Sequence, residues 1–127
     1  MGYEEHVGHP PDFEVRYRFF SPDEGGRRIG PPLQHYRSDW LYDGDIVAAG
    51  IHMIWPEFLA EDGTLVPDGV RVHTSGHAIM WIMTASMRTV HQARLHVGVR
   101  GFFMEGARRV AEAVVIRLIG LHSTSDG

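Results

Sequence analysis

Between Phe13 and Phe19 apolar and charged residues alternate without a break, Phe13, Val15, Tyr17 and Phe19 against Glu14, Arg16 and Arg18. Successive side chains of an extended chain point to opposite faces, so this period of two predicts a strand with one buried and one solvated face. That commits the chain to a sheet laid over a core. Ser21-Pro22-Asp23-Glu24-Gly25-Gly26 follows and turns the chain, the proline fixing one φ and the glycines permitting positive φ. Arg27 and Arg28 leave this turn at once, where their planar guanidinium groups can meet an anionic partner.

The remaining segments are read around this strand. Residues 1–11 have no periodicity and are expected to form a flexible arm. Ile29-Gly30-Pro31-Pro32-Leu33 interrupts any ladder, because neither proline donates a backbone hydrogen bond. Residues 34–41 read as the next strand, anchored by Tyr36 and Trp40, and Asp43-Gly44-Asp45 as a turn. Residues 46–69 read as an elaborated hairpin or loop. Within it Trp55 and Phe58 flank Pro56-Glu57, and they either cap the core or form a docking patch for a protein partner. Residues 70–73 suit a short strand, residues 78–87 a central strand apolar on both faces, and residues 88–91 a connector. Leu95, Val97 and Val99 alternate as the penultimate strand, which Phe102-Phe103-Met104 carries to a turn at Glu105-Gly106-Ala107. Over residues 108–121 the residues alone leave two answers open. Val110, Ala113, Val114, Arg117 and Leu118 fit a helical stripe, whereas Val114-Val115-Ile116 is β-branched. Residues 122–127 are a tail.

Phe13-Glu14, Asp23-Glu24-Gly25-Gly26-Arg27, Tyr36-Arg37 and Glu105-Gly106-Ala107-Arg108-Arg109-Val110, in that order, resemble the C-terminal β-barrel domain of bacterial elongation factor Tu. The resemblance spans residues 13–120. It implies an all-β fold, an antiparallel Greek-key β-barrel of about six strands occupying residues 12–121, with residues 108–121 as a strand. It also implies non-catalytic binding of tRNA or of a protein partner of the translation apparatus. The family's RNA contacts carry over to Arg27, Glu105 and Gly106, with Arg28 where the family has histidine. Two departures stand out. Residues 46–69 are longer than the family's counterpart, and Thr74-Ser75-Gly76-His77 lacks the family's aspartate.

Composition bounds the alternatives. A chain of 127 residues, 43% hydrophobic and 10% aromatic, suits one domain with a buried core. The net charge of −4 speaks against a general nucleic-acid coat, though a local arginine patch can still dominate one face. All 12 basic residues are arginine, which suits bidentate phosphate contact and equally reflects compositional bias. With 0 Cys there are no disulfides and no thiolate chemistry. No phosphate loop ending in Gly-Lys-Ser/Thr occurs, so the chain is not expected to be a GTPase or an enzyme, and no cofactor is expected. Among the nine histidines, His73 and His77, and His91 and His96, are the weak candidates for a metal-binding enzyme. A self-associating module, a homo-oligomer, is the other alternative. Neither a signal segment nor an apolar run of about 20 residues is present, and a cytoplasmic protein without a membrane contact is expected.

Overall fold

The computed structural model describes residues 2–122, which form a mostly β structure. Seven strands make one antiparallel sheet: β1 (Phe13–Phe19), β2 (Asp39–Tyr42), β3 (Ile51–His52), β4 (Ile54–Phe58), β5 (Ser75–Ile82), β6 (Arg100–Glu105) and β7 (Arg108–Leu118). Three short helices accompany it, α1 (Tyr3–Val7), α2 (Val47–Gly50) and α3 (Arg88–Arg94). None of them is long and apolar enough to cross a membrane.

The strand order is β3-β2-β6-β7-β1-β5-β4, so the two edge strands are consecutive in the chain and separated only by Met53. In a flat sheet the edges would lie roughly 29 Å apart, from six spacings of about 4.8 Å. Two residues of chain span only about 7 Å. The sheet must therefore curl strongly enough to bring its two edges close at Met53, and it forms a half-barrel. Trp55 Nε1 donates to Asp39 Oδ1 across the seam at 2.8 Å, tying β4 to β2. Past the seam, Gln34 stands in for a neighbouring strand. Its Oε1 accepts from Phe58 N at 2.9 Å, and its Nε2 donates to Phe58 O at 2.9 Å and Val66 O at 2.8 Å.

The concave side holds the core. Phe13, Val15, Tyr17 and Phe19 are all buried, as the alternation requires, and Tyr17, Phe19, Phe58 and Phe103 stack mutually with ring centroids 5.0 to 6.1 Å apart. Aromatic groups at such spacings add edge-to-face attraction to the gain from burial. On the opposite face Arg16 and Arg18 are exposed, but Glu14 is buried beneath Arg117 and His77, at 2.8 and 2.9 Å.

Several segments differ from the sequence reading. The amino-terminal segment contains α1, and Tyr3 is buried, its N–H donating to Glu57 Oε2 at 3.2 Å. The strand expected over residues 34–41 is confined to 39–42, because Gln34 is spent on the β4 edge. Residues 70–73 form no strand and pair only at the isolated bridge of Leu33 with Arg71. The central strand ends at Ile82, and residues 85–94 are helical, which replaces both its tail and the connector. Residues 95–99 are not a strand, since β6 begins at Arg100. Residues 108–118 are a strand and not a helix. Within 46–69 lies a sheet strand, β4, whose Pro56 sits on the sheet edge where no N–H is missed. Of the tail, residues 123–127 lie outside the described residues.

Candidate functional site

The turn after β1 is built residue by residue. Ser21 to Glu24 form one 3₁₀ turn that ends at Gly25, whose φ of 91° favours glycine. Glu24 accepts from Ser21 N at 2.9 Å and is gripped by Arg18 at 2.9 and 3.0 Å. Arg18 and the Ser21 N–H hold its carboxyl down at about 2. Gly26 serves differently, since a Cβ there would lie 2.0 Å from the Phe20 carbonyl oxygen.

This turn aims Arg27 inward. Its Nε donates to Glu105 Oε2 at 3.0 Å, its Nη1 donates to Gly30 O at 2.8 Å, and its guanidinium lies 4.9 Å from the Tyr36 ring centroid. Tyr36 Oη donates to the same Glu105 oxygen. The Tyr36 hydrogen bond, with Arg27 and Arg108 nearby, holds the Glu105 carboxyl below its ordinary range, while burial and Glu105 push the Tyr36 hydroxyl up to about 12. Arg27 thus has only 14% of its side chain exposed. Its Nε and one Nη1 donor are spent inside the protein.

The β6–β7 turn lies beside this cluster, with Gly106 at φ 59° supplying the positive φ that a two-residue hairpin needs. Arg108 pairs in register with Glu105 and is exposed, and the exposed Arg109 lies 5.1 Å over the Phe102 ring. Arg28 is exposed and makes no hydrogen bond, ion pair or ring contact among the described residues. The arginines free to meet a partner here are therefore Arg28 and Arg108.

Next to the cluster opens a cavity of 530 Å³, lined on one side by Arg27, Leu33, His35 and Tyr36 and on the other by Asp68 and Arg71. Arg71 Nη1 donates to Ile29 O and Pro31 O. Ile29 and Leu33, which line it, stand exposed by 74% and 47%, and Val70, between the lining Gly69 and Arg71, by 46%.

The remaining candidates are dispersed. Phe58 is fully buried in the core and presents no docking surface, and Trp55 is half-buried in the seam with the Arg37 guanidinium 5.0 Å over its ring. His73 and His77 are exposed, and His77 Nδ1 lies 2.9 Å from Glu14 Oε2. Among the described residues no group of three or more His, Asp or Glu side chains is placed to hold a metal ion.

Two titratable clusters go beyond the sequence reading, which named His91 but set it with His96. His35 bridges Glu57 and Asp68, and the buried His91 meets Tyr42 Oη at 2.8 Å with the His52 ring 4.7 Å away. Their members are scattered along the chain, and no spacing marks them. Comparison with protein-family models and with curated proteins finds no match to this chain.

Proposed function

We propose that this protein is a non-catalytic binding module of the translation apparatus, built as a Greek-key barrel like the C-terminal domain of elongation factor Tu and contacting the backbone of tRNA. One observation carries the reading. Three of the segments that bear the resemblance meet in space through Arg27, Tyr36 and Glu105, with Arg27 and Glu105 joined across 78 positions. The strand count agrees with it as well. If β3 and β4 are taken as one strand interrupted at Met53, the sheet has the six strands of such a barrel.

In this reading Arg27 and Glu105 are a brace that sets two turns side by side, and the RNA contacts fall to Arg28, Arg108 and the backbone at Gly106. Such contacts read backbone shape and not base sequence. A protein partner is the second reading, favoured by the exposed Ile29, Leu33 and Val70 around the neighbouring cavity.

Fluorescence titration of labelled tRNA tests the proposal, run from about 50 to 200 mM salt beside an Arg28→Glu, Arg108→Glu double variant. The wild-type association constant is expected to fall with salt at a log–log slope of about −2, and the variant to lose at least tenfold in affinity, roughly what two lost phosphate contacts imply. Equal binding by the variant would remove this surface. An absence of binding at low salt would overturn RNA as the partner and leave the protein reading.

A further inference from the structure

His35 is the only residue other than glycine with positive φ, 71°, among the described residues. A side chain in that region costs about 1–2 kcal/mol, so its surroundings must hold it there. They do so through both ring nitrogens. Nε2 lies 2.6 Å from Glu57 Oε2 and Nδ1 lies 2.6 Å from Asp68 Oδ1. A neutral imidazole has one donor and one acceptor, and an ionised carboxylate only accepts. Both contacts are satisfied together only by the doubly protonated ring.

The two carboxylates differ in what they can do when a proton leaves. Glu57 has 1% of its side chain exposed, also accepts the Tyr3 N–H, and has no water to turn to. Asp68 is 69% exposed and hydrates at once. The remaining ring N–H therefore stays with Glu57. The Nδ1 lone pair then faces the Asp68 oxygen, acceptor against acceptor. Asp68 lies in the turn closed by Val70 N donating to Pro67 O at 3.1 Å, and this turn is one wall of the 530 Å³ cavity.

We propose that Glu57, His35 and Asp68 form a proton-dependent clasp, which holds residues 67–70 against the cavity while the imidazole is cationic and releases them when it becomes neutral. The other charged or titratable groups facing it are Tyr3 and His6 from α1, Arg37 beyond the ring, and Arg27 and Arg71 along the cavity. Burial alone would lower the His35 pKa, but the hydrogen bonds to Asp68 and Glu57 outweigh it and raise it above the ordinary value. A group with a raised folded-state pKa stabilises below its unfolded value, and that contribution is lost as pH rises through the folded one. Release therefore comes on the alkaline side of about 6.5.

The test is an NMR titration of the full chain, following the His35 ring and the heteronuclear NOE of the Asp68, Gly69 and Val70 amides. The ring midpoint is expected above about 6.5, with the three NOE values falling at that same midpoint. In Asp68→Ala the amides are expected to be mobile already at pH ~5.5 and the midpoint to drop. NOE values unchanged through the His35 titration, or a midpoint unmoved by Asp68→Ala, would overturn the clasp. Neither readout involves RNA, so failure here leaves the binding proposal untouched.

Discussion

Gly25 and Gly26 are neighbours that are glycine for unlike reasons. Gly25 needs its left-handed backbone and has open space where a Cβ would go, whereas Gly26 has no positive φ and no room against Phe20. Gly25→Ala should cost about 1–2 kcal/mol, the ordinary left-handed penalty. Gly26→Ala should cost about 3 kcal/mol or more, because the obstruction is backbone that cannot swing aside. Urea denaturation midpoints of the two variants check the order, and equal losses would refute it. His91 shows a different residue-level effect. Burial, with His52 and Arg94 nearby, pushes its pKa down to about 4. The unfolded chain therefore binds the proton more readily, and stability falls as pH drops from about 6.5 to about 4, by on the order of 3 kcal/mol. His91→Gln should flatten that acid limb in denaturation midpoints taken across pH, whatever its effect at neutral pH.

At the level of elements, the most exposed dependence is that of the β4 edge on one side chain. Gln34→Ala leaves the Phe58 N–H and the Val66 carbonyl buried without this partner, and about 1–3 kcal/mol is expected for each. Gln34→Glu should also destabilise, because a carboxylate cannot donate to Phe58 O and Val66 O. Denaturant midpoints would show both losses, and an unaffected Gln34→Ala protein would mean that the edge finds other partners. The legibility of the elements follows the same physics. β1 was readable to the residue because its apolar face is buried while Arg16 and Arg18 on the other are wet, Glu14 alone lying buried under Arg117 and His77. Over residues 46–69 the sequence leaves a hairpin or a loop open, and β4 could not be delimited because a side chain, not a strand, completes its edge. The run from Ala78 to Met87 concealed the change at Ile82, since apolar residues continue while the backbone turns helical.

For the molecule as a whole, Asp12 is the knot. It is fully buried; its backbone O accepts from Ile119 N at 3.0 Å and Leu121 N at 3.1 Å, its Oδ2 accepts from Ile82 N at 2.8 Å, and Arg88 Nη1 lies 2.6 Å from its Oδ1. Arg88→Met would strand that carboxylate among apolar groups, at an expected cost of about 3–5 kcal/mol visible as a lowered thermal midpoint. A loss below about 1 kcal/mol would mean that water reaches Asp12. Arg27 and Glu105 stand in the sequence only as RNA contacts that the resemblance implies; their partnership with each other, and the Glu57–His35–Asp68 bridge, exist only after the sheet has curled. The join at Met53 has one more consequence, for solubility. An open sheet offers a row of unpaired N–H and C=O groups at each margin, and such margins template aggregation. Here one short chain segment supplies both margins and holds them close together, and Gln34 occupies part of the outer edge of β4, so growth by strand addition has less to start from while that segment is intact. A chain nicked at the exposed Met53 would free the two margins from each other and is expected to recruit its own copies, which light scattering after the nick would show.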